Sequence, residues 1–149
     1  MYKKEEWQEI KKEGKRRHVL FHSTLYRMLP LGVVLIGLFE ALEKGMSFYR
    51  AEGFGSKLLL TAVVFAGIGI LVGNLEWWLF NEALQNATEK KAKHLLALVV
   101  GVAGFGLPIA LVSLIAGVLY GSVIIHFVIW LLGGYIYGRV MTRNYNLEE

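Results

Sequence analysis

The sequence predicts an all-α, polytopic integral membrane protein whose four transmembrane helices form two hairpins. Three observations carry that expectation. Of the 149 residues 55% are hydrophobic, above the roughly 45–50% of soluble domains, and mean hydropathy is +0.47. The 16 Lys and Arg and 12 Asp and Glu crowd into the N-terminal segment, two short connections and the C-terminal tail. Between them lie apolar stretches long enough to cross a bilayer.

The longest stretch, Leu95 to Gly138, has 44 residues without Lys, Arg, Asp or Glu. As one helix it would extend about 66 Å, roughly twice the hydrocarbon thickness of a membrane. It must therefore turn back, and Gly117 to Ser122 is the best local place for a tight turn. The spans expected there are 95–116 and 122–141. Leu58 to Leu75 is 18 residues without charge, followed by Glu76, Trp77 and Trp78 as an interfacial end, so a span is expected over 58–80. The remaining span, 19–42, is the least clear. Met28 to Phe39 is only 12 uncharged residues, and a full crossing encloses Arg27. A re-entrant or interfacial helix is the alternative. Residues 1–18 read as a basic, amphipathic cytoplasmic arm, with Tyr2, Trp7 and Ile10 as a thin apolar stripe among Lys and Glu. Such an arm suits anionic lipid or a partner. The first apolar stretch follows a long charged segment and lacks a cleavage pattern, so no signal peptide is expected.

Orientation follows from the basic residues. With the N-terminus inside, 13 of the 16 Lys and Arg are cytoplasmic, including Lys3, Lys90, Lys91, Lys93, Arg139 and Arg143. Only Lys44, Arg50 and Lys57 lie outside. The positive-inside bias therefore favours both termini in the cytoplasm of a cell (inner or plasma) membrane.

A shift of 78 residues lays the basic run at Lys11–Arg16 over Glu89–His94 and Leu29-Pro30 over Leu107-Pro108, the chain's two prolines. Both basic clusters and both prolines fall in one register, which suggests a tandem repeat of two helix pairs. Coincidence among apolar letters is the alternative. The returning helices need a different shift.

Arg27 begins the list of candidate site residues, lying about 12 Å into its helix if that helix starts near Val19. A cation at the centre of a span costs roughly 2.5–3.5 kcal/mol on insertion scales. It either snorkels or finds a partner at its own depth. Glu76 is that partner by topology, with Asn74 a further acceptor. Glu40, Lys57 and His126 fall toward the outer side and could form a charge cluster or a proton or cation site. Gly69-x-x-x-Gly73, Ala97-x-x-x-Gly101 and Gly134-x-x-x-Gly138 place small residues one turn apart, as close helix packing requires. Pro30, Gly104, Gly106 and Pro108 weaken their helices and are expected to kink or partly unwind them.

His18 and His22 have the i, i+4 spacing of two ligands of one metal, and His94 is near the same boundary. The surrounding Lys15, Arg16 and Arg17 oppose a cation, and the sequence lacks cysteine, so no metal site is expected. Haem would need facing axial ligands, and only His126 lies clearly within a span. No cofactor is expected. The basic balance (isoelectric point about 9.3) is explained by cytoplasmic flanks, and nucleic acid is not an expected partner. No nucleophile–base set or phosphate loop appears, so an enzyme is not expected. Two function classes remain. One is a small accessory or scaffold membrane protein working by helix packing, as a homo-oligomer or as a subunit of a larger complex. The other is a small oligomeric transporter or channel with a site near Arg27 and Glu76 or near Glu40 and His126.

Overall fold

The computed structural model describes residues 4–45, 47–85 and 87–142. Tyr2, Lys3 and Arg143 lie outside the described residues. The regular structure of the described residues is all helical, with four helices long and apolar enough to cross a membrane. A short helix α1 (Lys4–Glu13) comes first. The four long helices are α2 (Lys15–Lys44), α3 (Phe54–Ala83), α4 (Glu89–Ala116) and α5 (Val123–Met141).

Local chemistry sets the ends of these helices. Gly14, at a φ of 89°, separates α1 from α2. The turn between α4 and α5 falls within 117–122, as the sequence suggests. Gly117 takes a φ of 97°, and the last carbonyls of α4 are taken by Gly117 N–H to Leu114 O and Val118 N–H to Ser113 O. This crossed pair is the usual way a left-handed glycine closes a helix. Ser122 then caps α5, its hydroxyl accepting from Ile125 N–H at 3.3 Å.

Two long helices change character in the same way before their prolines. Residues His18–Met28 of α2 and Ala97–Gly106 of α4 are π-helical, and each run passes into α-helix at a Leu-Pro pair. Leu29 N–H bonds Thr24 O and Leu107 N–H bonds Val102 O, five residues back in each case. A proline cannot donate, and its ring collides with the carbonyl four residues earlier. Lengthening the hydrogen-bond step to five moves the preceding turn out of that collision. Helical structure thus continues past each proline, with a widened, less tightly wound stretch upstream and the proline's own N–H missing from the ladder. These two runs end 78 positions apart, at Met28 and Gly106; a third π-helical run, Leu79–Ala83 at the end of α3, precedes no proline.

The wider step also decides which residues share a face. At the roughly 100° per residue of an α-helix, positions nine apart point to opposite sides. At roughly 80–85° per residue, as i→i+5 bonding requires, they return to one side. In α4 this gathers Ala97, Gly101 and Gly106, all buried, into one seam against α5. A Cβ on Gly138 would stand 2.9 Å from the Cα atoms of both Ala97 and Gly101. A Cβ on Gly134 would stand 2.8 Å from Gly106 Cα. In α2 the same step gathers Val19, Ser23 and Met28, buried likewise, and Val19 and Ser23 meet α3. A Cβ on Gly73 would be 2.8 Å from Ser23 Cβ and 3.0 Å from Val19 Cα, and one on Gly69 would be 2.6 Å from Thr24 Cα. These distances leave no room for a side chain. In lipid, where apolar burial does not favour helix over tail, such close approach is a main source of helix association.

A core shared by α2, α3 and α4 is built from Met28, Ile36, Phe65, Ile68, Val72 and Val112. Helix α5 buries little beyond His126, Gly134 and Gly138, leaving Ile124, Val128, Leu132 and Ile136 outward. The apolar stripe of α1 is not left to solvent. Trp7 and Ile10 are 6% and 8% exposed, and Trp7 lies against Trp77 and Phe80 of α3.

Gly138→Val is expected to destabilise the detergent-solubilised protein by about 1–3 kcal/mol, because the contact is with backbone and cannot repack. Gly133→Val, five positions earlier on the same helix with nothing near its Cβ position, is expected to cost only a small fraction of that. Denaturation curves of the two variants side by side test the seam.

Candidate functional site: a buried carboxylate between α2 and α3

Glu76 projects from α3 and is 4% exposed. Its Oε1 accepts from Arg27 Nη1 at 2.8 Å, and its Oε2 lies 3.4 Å from His18 Nε2, an ion pair when that imidazole is protonated. Arg27 Nη2 also donates to Ser23 Oγ at 3.3 Å, and Ser23 Oγ donates to Gly69 O at 2.9 Å. One carboxylate, one guanidinium, one imidazole and one hydroxyl thereby tie α2 to α3. The π-helical step makes this possible, since His18 and Arg27 are nine residues apart and would diverge on an α-helix. The Arg27 side chain is 38% exposed, so the cluster opens to the surroundings on that side.

His18 itself is fully buried. Trp7 meets its ring edge-to-face at 5.3 Å, Trp77 lies at 6.0 Å and His22 stacks at 6.2 Å. Helix α1 thus covers the imidazole with an indole. His22 reaches back to the end of α1, its Nε2 2.9 Å from Glu13 Oε2, and Arg17 Nε lies 3.5 Å from the same oxygen. The His22 hydrogen bond is the main reason that the Glu13 carboxyl is held below its usual value; the charges of Arg17 and His22 act in the same direction, against partial desolvation.

Asn74 does not join as a further acceptor for Arg27. Its Nδ2 donates to Ile70 O at 2.7 Å, one turn back on its own helix, an outlet open to any amide side chain within an apolar helix.

A second ionic group lies toward the other end of the same two helices. Glu40, fully buried, accepts from Lys44 Nζ at 2.7 Å and from Lys57 Nζ at 2.5 Å. Lys57 also donates to Ala116 O at 2.9 Å, so this pair engages the end of α4. His126 takes its partners elsewhere. Tyr120 N–H donates to its Nδ1 at 3.2 Å. That leaves Nε2 to carry the proton, 3.1 Å from Ala110 O and 2.9 Å from Ser113 Oγ. Both ring nitrogens are thus occupied in bracing the α4–α5 turn, which is why the ring does not join Glu40 and Lys57.

His94, weighed from sequence beside His18 and His22, is hydrogen-bonded to Tyr135 OH at 2.9 Å. Among the described residues no group of three or more His, Asp or Glu is placed to hold a metal ion. Sequence reasoning missed His18, Ser23 and Trp7 as members of the Glu76 site. A partial signal for His18 and Ser23 is the Leu-Pro pair downstream, because proline disturbs the regular α-helical bonding of the turn before it. Comparison with protein-family models, curated proteins and solved structures finds no match for this chain.

Replacing Arg27 with Leu leaves Glu76 facing His18 alone. Breaking a buried pair costs about 3–5 kcal/mol, and partial exposure of Arg27 reduces the expected loss to roughly 2–3 kcal/mol. The exchange Arg27→Glu with Glu76→Arg is expected to recover part of it in the same unfolding assay. A double variant no more stable than the weaker single would show that the pair does not hold α2 against α3.

Proposed function

We propose that this chain is a small accessory or scaffold protein of the cell (inner or plasma) membrane, acting by helix packing with a second copy or within a larger membrane complex. The observation that carries this reading is the internal neutralisation of the two buried carboxylates within its long helices. Glu76 is shared by Arg27 and His18, and Glu40 by Lys44 and Lys57. These groups act as fasteners that hold helices in register, while the outward faces of α2, α3 and α5 are apolar. A second reading, a small oligomeric transporter, draws support from the open side of the Arg27–Glu76 cluster and from the widened helix beside it.

On this reading the four helices form two hairpins, α2 with α3 and α4 with α5, related by tandem duplication, with both termini in the cytoplasm. Paired offsets support the duplication. Gly73 meets Val19 and Ser23, and Gly138 meets Ala97 and Gly101. The α2 partners and their α4 counterparts differ by 78 positions, and the α3 and α5 glycines by 65. The excess of Lys and Arg before and at the start of α2 and in the first turns of α4 supports the orientation.

The chain has no native cysteine, so single cysteines report sidedness directly. Ser47→Cys is expected to react with an impermeant maleimide applied to intact cells, and Lys90→Cys only after permeabilisation; the reverse pattern would invert the orientation. The function is tested by gentle extraction from native membranes, with measurement of the mass of the assembly and identification of every co-purifying chain. A heteromeric assembly with the same partners in each preparation is the expected result. A clean monomer or small homo-oligomer would move the transporter reading ahead and bring flux assays on Arg27, Glu40 and Glu76 variants to the front.

A further inference from the structure

A cleft of about 310 Å³ opens beside the Glu76 cluster, lined by Lys15, Arg16, Val19 and Leu20 of α2 and by Asn74 of α3. Its lining is graded. Lys15 and Arg16 stand at the start of α2, and Leu20 follows roughly 7 Å further along the helix. The cleft thus passes from cationic to apolar over the distance that separates a lipid headgroup from the top of its acyl chains. Lys15 and Arg16 form no ion pair among the described residues, whereas the adjacent Arg17 is engaged by Glu13. Asn74 spends one N–H on Ile70 O and keeps its oxygen and second N–H for a glycerol hydroxyl or an ester carbonyl.

We infer that this cleft binds one anionic glycerophospholipid, its phosphodiester held by Lys15 and Arg16 and its upper chains lying against Val19 and Leu20. The charge pattern selects a lipid with net negative charge over a zwitterionic one, because no carboxylate lines the cleft to meet a choline or ethanolamine group. The inference rests on the membrane-spanning reading of the four long helices and is independent of whether the protein is an accessory subunit or a transporter. The bound lipid would touch α2 at Val19, the residue against which Gly73 closes, and so would add to the α2–α3 seam from outside.

The test is native mass spectrometry of the full chain in detergent supplemented with either phosphatidylglycerol or phosphatidylcholine. The wild type is expected to retain one phosphatidylglycerol and to lose phosphatidylcholine. In the exposed double variant Lys15→Gln with Arg16→Gln, retention should fall roughly tenfold or more, the scale of two basic groups beside an anionic headgroup. The control Lys90→Gln with Lys91→Gln removes the same charge elsewhere and should leave retention unchanged. Asn74→Leu should fall between. Equal retention of the two lipids, equal loss in the two double variants, or displacement of the lipid by glycerol phosphate at the same concentration would each overturn the proposal. The first would indicate ordinary boundary lipid, the second diffuse charge, and the third a site for free phosphate.

Discussion

The pairing of Glu76 with Arg27 is the interaction on which the first half of the structure depends. A carboxylate at that position can stay charged only with a cation beside it, since burying either charge alone is expensive. The cation must come from α2, and it must arrive at the depth of Glu76. That fixes the axial register of α2 against α3. Ser23 then falls opposite Gly69, where its hydroxyl reaches the carbonyl, and Val19 falls opposite Gly73. The second ligand of the carboxylate, His18, lies nine residues before Arg27 and needs the i→i+5 step to face the same way. The imidazole so placed is fully buried, and Trp7 covers it. The docking of α1 therefore follows from the charge pair between the two helices it rests on.

Widening a helix has a physical cost in looser packing around its axis, and the two widened stretches that precede prolines lie where glycine or small residues close the gap. Along α4 the contact is backbone against backbone, Ala97, Gly101 and Gly106 against Gly134 and Gly138. Along α2 it is partly polar, Val19, Ser23 and Thr24 against Gly69 and Gly73, with Thr24 Oγ1 returning to Val19 O at 2.7 Å. The same device thus appears once with hydroxyls and a charge pair, and once with almost no side chain. Where the charge pair is absent, closer backbone approach takes over the work of holding the helices together.

Much of this was legible in the sequence, through arguments that needed only length and depth. The turn at Gly117 followed from a charge-free stretch too long for one crossing. Arg27 was matched to Glu76, and Glu40 to Lys57, because residues at equal depth on neighbouring helices must meet if they are to be paired at all. What stayed hidden depended on local backbone geometry. His18 was read with His22 at α-helical spacing, whereas its functional neighbour is Arg27 at π-helical spacing. Pro30 and Pro108 mark weakened helices in the sequence, but which hydrogen-bond step precedes them is visible only in the backbone. His126 was assigned by depth to Glu40 and Lys57. Its ring is instead turned by Tyr120 N–H, a contact that exists only because the turn after Gly117 folds back over the side chain. Asn74 is expected beside Arg27 but finds its partner one turn back on its own helix, an alternative that depth arguments do not weigh.

Two ionic fasteners on one pair of helices constrain motion differently from one. Glu76 with Arg27 and Glu40 with Lys57 grip α2 and α3 toward opposite ends, and Arg27 and Glu40 stand roughly 20 Å apart along α2. A single fastener leaves rotation and tilt about it nearly free, whereas two remove sliding, rotation and splaying together. Any cycle that opens a path between α2 and α3 must release at least one buried carboxylate from its cations, at a cost comparable to breaking a buried pair. No such release is needed if the pair moves as one body against α4 and α5, or against a neighbouring protein. The fasteners therefore favour a role in which the α2–α3 unit presents a fixed surface. The other outward apolar face belongs to α5, which its glycine seam and His126 hold against α4.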